Sequence, residues 1–449
     1  MSVVANSDRA ETRAIAGVTQ LADLLALPAP LDDEKIGGDG VVYLEGLRDR
    51  ALDFLHEQSL PTTKDEDWRF TDLSPLVSRK FDPLETEPDG ATLESAHCFL
   101  GDRTLDDAYT LIFVDGHFAS HLSHVPPTAT VTLTNLRGQV DQVRPYLGQL
   151  PDGDEVFTAL NTARFQDAAI LQVLGNQAIS RPIHIVHLFT PGPAKVIQPR
   201  LLVLGAANST VTLVEEYLSQ GRDEHFINGV TEIYLGTNAH INHVRMQNLG
   251  DRSVIVGKTV ISQARDSHYQ GNSISVGGLV GRHNWHVFCQ GEQTDTQLHG
   301  LVVATGEQLA DTHSGIYFSA PHGRSQQVHK CIVGDRARAV FNGKIDVPKA
   351  AQLTDAAQMS RTLLLSPKAR VDTKPQLEIV ADNVKCAHGA TVSQLNPEDI
   401  FYLQSRGLDP QQAQDLLVKA FAIEQLDKIP MPNLRLRLEQ LILDKIHFP

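Results

Sequence analysis

Apolar residues recur at spacings of three and four over residues 40–58, where Leu44, Leu47, Ala51, Leu52 and Leu55 share one face, and this predicts an amphipathic helix. Pro61, Pro75, Pro83 and Pro88 then break the chain, so the stretch they punctuate is expected to hold no long regular element. Strand-like runs at 111–114, before the turn signal Asp115-Gly116, and at 131–133 precede a predicted short helix over 154–166. Residues 1–177 therefore read as a helical and mixed α/β region.

From residue 178 the period of the pattern falls to two. Runs at 200–204, 210–214, 231–235 and 254–262 follow one another with turn residues between them and no helical spacing. Alternation is plain where Trp285, Val287 and Cys289 interleave with Asn284, His286 and Phe288, and again before Asn342-Gly343. A β-sandwich and a β-solenoid both fit, and the unbroken length, 178–395, favours the solenoid, because sandwich domains stop near 100 residues. The fold class expected is mainly β.

The final region, 396–449, returns to helix. Asn396 is a good N-cap ahead of Pro397, Glu398 and Asp399, and Gly407 is a stop. Asp409-Pro410 opens a second helix whose Ala413, Leu416, Leu417, Ala420 and Phe421 form one stripe, and a third is predicted over 434–446. Helices at both ends of a solenoid can cover its exposed terminal coils, and the last can dock a partner.

Composition narrows the function classes. The 449-residue chain is 41% hydrophobic, with no apolar run long enough for a membrane span. Residues 1–27 carry Asp8, Glu11 and Asp23 where a targeting leader would be basic or apolar, so a cytoplasmic protein is expected. A net charge of −15 argues against nucleic acid as a partner. Cys98, Cys289, Cys331 and Cys386 are too scattered for a disulfide framework or a self-contained zinc site.

Gly257-Lys258-Thr259 evokes a phosphate loop, but Arg252 stands where the leading glycine belongs, so the segment reads as a solenoid turn and the chain is expected to bind no nucleotide. No dinucleotide loop, nucleophile elbow or zinc-protease helix occurs, and no enzyme class is indicated. His184/His187 and His283/His286 lie in strand-like sequence, where a spacing of three sends the two rings to opposite faces. A spacing of two does the reverse: Cys386 with His388, and His329 with Cys331, each share a face. Thiolate and imidazole suit iron–sulfur, zinc or copper, but two donors cannot close a four-coordinate site, so any metal would be shared. Cysteine also packs well as a small buried hydrophobe.

The string from Leu377 through Cys386 and His388 to Val392, followed by Phe401-Tyr402-Leu403-Gln404-Ser405-Arg406-Gly407, resembles the signature of the SufB/SufD family, and Lys64 to Phe70 is similar to it too. The resemblance implies a right-handed parallel β-helix within a SUF iron–sulfur cluster assembly complex, paired with a SufB-like paralogue and docked on a SufC-like ATPase through the C-terminal helices. Phe401, Tyr402, Leu403, Arg406, Leu416, Leu417 and Phe421 are the implied docking residues. SufD is favoured over SufB, because SufB chains carry more cysteines in their N-terminal half and here Cys98 alone precedes Cys289. His388 matches a histidine implied as a ligand to a cluster shared transiently with SufB, and Cys386 lies beside it. A homodimer is expected when partners are absent. Two rivals stand: a purely structural adaptor without ligands, and a β-helix carbohydrate-active enzyme, which would have to pair carboxylates from Asp295, Asp311 and Asp335.

Overall fold

The computed structural model describes residues 21–25, 38–82, 87–125, 130–151 and 155–446, so the leader reading of residues 1–27 lies largely outside the described residues. Two ten-stranded sheets run along the protein. From Arg200 onward consecutive strands fall in alternate sheets, and each pairs in parallel with the strand one coil further on. The result is a parallel β-solenoid with two strands to a coil, the architecture that the length of β sequence favoured over a sandwich. In the first sheet Thr210, His240, His268, Asp295, Arg324, Asp355 and Lys385 are stacked register partners, at steps of 27 to 31 residues. That varying step hides the repeat from the sequence.

Alternate side chains point inward, as the pleat requires. Ile233, Ile261, Val287, Ile316 and Ile345 form one aliphatic column through the interior. Polar side chains share the interior because each finds partners there. Glu215 accepts hydrogen bonds from Tyr217 Oη (2.7 Å) and Thr231 Oγ1 (2.6 Å) and meets His243 Nε2 at 3.1 Å. Its pKa, which burial alone would raise, is held down to about 2 by His243 and Arg245. Where a large ring crosses the interior, a neighbouring strand gives way, the facing one at Trp285 and the adjacent one of the same sheet at His329. A Cβ on Gly271 would lie 2.1 Å from Trp285, and one on Gly300 2.0 Å from His329.

One corner of the coil repeats a left-handed residue. Asn176, Asn208, Asn238, Asp266, Gln293, His322 and Leu353 have φ between 55° and 64°. From Asn208 to Leu353 each of these amides donates to a carbonyl one coil further on. Asn238 Nδ2 donates to Asn208 Oδ1 and Asn208 Nδ2 to Asn176 Oδ1, both at 2.9 Å, giving an asparagine ladder.

Helices cover both outer faces. The Gly38–His56 and Val156–Arg164 helices pack over the second sheet. Over the first sheet lie Pro410–Leu426 and Pro432–Ile446, whose Val418, Ala422, Leu434, Leu438 and Ile442 meet Val244, Met246, Leu301 and Ile332. Antiparallel strands close the beginning of the stack: Tyr109–Val114 with His117–Phe118, and Val131–Asn135 with Ala169–Val173. The last strands, Arg370–Ile379 and Lys385–Gln394, each have a neighbour on one side only.

One expectation needs correction. Gly257-Lys258-Thr259 is not a turn but the buried middle of strand Val254–Gln263, where alternation and β-branched neighbours outweigh the glycine. The proline-punctuated stretch holds only short elements among its described residues, Glu66–Trp68 and Ser74–Val77, as expected, and an eleven-residue helix, Gly90–Leu100, follows it, with N-cap Asp89 accepting the Thr92 amide at 2.8 Å. Pro88 lies just upstream of that cap, where proline obstructs nothing.

Candidate functional site at the open end of the solenoid

Burial falls away along the last coil. Strand Asp355–Leu364 still alternates between buried and exposed, strand Arg370–Ile379 holds no buried residue, and strand Lys385–Gln394 is almost wholly exposed. Ile379, Val380 and Val392 are 40%, 64% and 50% exposed at this rim. An unpaired strand with apolar neighbours is a template for another chain.

Cys386 and His388 sit on this last strand, in register with Ala356 and Gln358. Ala356 and Gln358 are buried on the interior side, so parallel pairing sends Cys386 and His388 to that side too, at its open mouth. Cys386 is half-buried against the interior cluster, and burial pushes its thiol pKa up, with Asp355 adding to the rise and a backbone hydrogen bond from Ala356 opposing it. His388 is exposed. Beneath it runs a polar column that sequence reasoning did not find. Gln358 Nε2 donates to Gln327 Oε1 (2.9 Å), and Gln327 Nε2 donates to Ser314 Oγ (2.8 Å). Only the steps of about thirty residues that align 327, 358 and 388 could have signalled it.

The other pairs have settled structural surroundings. His184 faces outward and meets Glu216 at 2.9 Å, whereas His187 faces inward between Phe113 and Tyr217, so a spacing of three does separate the rings. His283 bonds Thr259 and Ser273 inside, while His286 lies edge-on to Tyr317 outside. His329 and Cys331 share the inward face but are sealed. His329 stacks on Phe341, its pKa lowered by burial to about 3, and the Cys331 thiol is pushed by burial to about 12. Asp295 begins a strand of the first sheet, Asp311 is buried on the second beside Arg282 (2.9 Å) and His313 (3.1 Å), and Asp335 holds the Gly306 amide at a turn. These carboxylates do not converge.

At the C-terminus, Asn396 caps the Pro397–Ser405 helix, and Asp409 with Gln412 forms a capping box for the next. The Pro397–Ser405 helix has no buried residue; Phe401, Tyr402 and Arg406 are exposed and Leu403 half-buried. Leu416 is exposed and Leu417 half-buried, but Phe421 turns toward the solenoid, with Lys330 Nζ 4.4 Å from its ring centre. Lys330 also binds Glu424 (2.6 Å), and Arg437 reaches the buried Glu216 at 2.9 Å.

Comparison with known proteins decides the family. The profile described as SUF system FeS cluster assembly, SufBD core domain, matches residues 188–421, and that of the SufBD protein N-terminal region matches 33–185. The chain belongs to the SufB/SufD family. It is 41% identical to an iron–sulfur cluster assembly SufBD family protein of Synechocystis, over 93% of this chain and 94% of that one. It is 32% identical to Escherichia coli SufD, over 83% and 86% of the two chains. Bacillus subtilis SufD is 26% identical over 90% of this chain and 94% of its own. SufD is thus the better match within the family, in line with the sparse cysteines, and the role of the chain lies in SUF iron–sulfur cluster assembly. No helix among the described residues of this SufBD protein is long and apolar enough to cross a membrane.

Proposed function

We propose that this SufD-like chain is one half of a two-chain scaffold. Its open coil pairs with a SufB-like paralogue, and its C-terminal helices dock a SufC-like ATPase. The observation that carries the reading is the contrast in burial between the two ends of the solenoid: the antiparallel strands at the first end are buried or half-buried, whereas the last two strands hold no buried residue and carry an apolar rim. His388 and Cys386 stand at the mouth of that open end. An imidazole and a thiol are donors of the kind that hold iron–sulfur clusters, and two of them make half a ligand set. The cluster is the cargo under construction, completed by ligands from the paired chain.

The helices give this half-site a handle. Phe401 and Tyr402 are offered outward on a helix with no buried face, while Lys330–Glu424 and Arg437–Glu216 fasten the next two helices to the solenoid. Movement imposed by an ATPase on the outer helix would reach the solenoid through those pairs. A purely structural adaptor would share every feature except dependence on His388.

The test is co-purification with SufB-like and SufC-like partners, then anaerobic reconstitution with iron and sulfide. Loss of cluster absorbance in His388→Ala within an intact complex supports the half-site. Undiminished absorbance reduces the chain to an adaptor, and failure to associate refutes the pairing.

A further inference from the structure

The polar column beneath His388 ends in a buried oxygen. Gln358 is 2% exposed, and among the described residues nothing donates to its Oε1. A buried acceptor left open is uncommon, because its lost hydration is not compensated.

The column fixes the direction of that oxygen. Gln358 Nε2 donates to Gln327 Oε1, 2.9 Å away on the preceding coil of the same sheet. The same nitrogen lies against Gly343 of the facing sheet, where an added Cβ would come within 2.3 Å of it. A side-chain amide carries its acceptor and its donors on opposite sides. With Nε2 turned back along the stack, Oε1 is turned toward the open end. The asparagine ladder has the same polarity, since Asn238 donates to Asn208 and Asn208 to Asn176, each offering its oxygen to the coil that follows.

Two side chains of the next coil can supply a donor. His388 is the register partner of Gln358, on the same face of the adjacent strand, and its exposed ring has room to turn. Thr373 Oγ1 is also without a partner, but it belongs to the facing sheet, in register with Phe341. In register with Gly343 stands Pro375, which has neither an N–H nor a polar side chain. The chemistry of a ligating histidine favours the first. An imidazole that holds a metal through one nitrogen almost always donates its other N–H to a fixed acceptor, which sets its tautomer and ring plane.

We propose that Gln358 is the positioning residue of the half-site: its Oε1 accepts the inward N–H of His388 and leaves the other ring nitrogen presented at the mouth. This role rests on the half-site reading of His388. The column then runs Ser314, Gln327, Gln358, His388, every member donating toward the start of the stack, and the ligand is aligned from the interior of the solenoid.

The tautomer of His388 is read first, in the full chain labelled with nitrogen-15 at histidine and held at a pH where the ring is neutral, with His388→Ala to assign the signal. One tautomer should dominate in the parent. The two should mix in Gln358→Met, which keeps the length and removes the acceptor. Gln358→Glu should restore the preference, because Gln327 can reverse its amide against the Ser314 hydroxyl and donate to the new carboxylate. In the complex reconstituted with SufB-like and SufC-like partners, iron and sulfide, loss of the cluster to a chelator should be at least about tenfold faster in Gln358→Met, and close to the parent rate in Gln358→Glu and Thr373→Val. The proposal is overturned if Gln358→Met, with unchanged circular dichroism, leaves either readout at its parent value while His388→Ala abolishes the cluster, or if Thr373→Val moves both readouts and Gln358→Met neither. An undiminished cluster in His388→Ala refutes the half-site and this role with it, and is told apart because the tautomer is read without partner or cluster.

Discussion

Leu353 occupies a backbone conformation that its side chain disfavours. It takes φ 61° at the same corner where Asn, Asp, Gln or His stands in the six earlier coils. A Cβ in the left-handed region costs about 1–2 kcal/mol, less for asparagine, which bonds its own backbone there. Leu353 is 47% exposed, so its side chain contributes little packing in return. Leu353→Asn should therefore stabilise the chain by about 0.5–1 kcal/mol, read as a higher urea midpoint at unchanged slope; an unchanged or lower midpoint would show that the leucine packs better than its exposure suggests. At this scale the sequence spoke clearly about faces and poorly about neighbours. Period two put Cys386 and His388 on one side, and the spacing of three parted His184 from His187. The glutamine column under His388 stayed hidden, because a residue's partner on the next coil depends on corner lengths that vary from coil to coil.

Among the elements, the C-terminal helices are fastened by few but deeply placed charges. Arg437 contacts a Glu216 carboxylate that is 3% exposed and shared with His184. Removing the arginine leaves that carboxylate short of compensation, so Arg437→Ala should cost about 2–4 kcal/mol and free the last two helices to limited proteolysis. Burial alone would raise the Glu216 pKa, but the hydrogen bond from His184 and the Arg437 charge hold it below its ordinary value. The hydrogen bond and charge of Lys330 do the same for Glu424. A depressed carboxylate lends stability that is present above its unfolded pKa and lost as pH falls through the folded one. Helix docking should then weaken below about pH 4.3, the ordinary glutamate value, first in the Arg437 variant, and far-ultraviolet circular dichroism with proteolysis would follow it. Unaltered cleavage in both would mean that apolar packing alone holds the helices. The helices themselves were legible because their caps are local: Asn396, Gly407 and Asp409 announce their positions without reference to the fold. Gly90–Leu100 likewise starts at a local cap, Asp89, just past the last of the prolines. Gly257-Lys258-Thr259 was read as a turn because a glycine was weighed above its β-branched surroundings.

For the whole molecule, the difference between the two ends governs behaviour in isolation. Unpaired edges at Arg370–Ile379 and Lys385–Gln394, with Val380 and Val392 exposed, leave the chain a ready match for a second copy. Without a partner the protein is expected to sediment as an end-to-end dimer, and Val380→Asp with Val392→Asp should return it to a monomer of unchanged stability. A monomer at tens of micromolar before any substitution would remove the rim as an adhesive surface. The solenoid was readable from the length of period-two sequence and the helices around it. The openness of one end was not, because an edge is a property of the stack rather than of any strand within it. Stacking has one more consequence. Each coil advances the structure by one strand spacing, about 4.8 Å, so the height of the rim above the helix-docking face is counted in whole coils. An insertion or deletion of one complete coil would leave every local contact type intact yet move His388 by that step relative to Arg437 and Lys330. The molecule thus works as a ruler graduated in coils, and two chains that must meet at their rims while gripping a common base have to agree on the number of graduations.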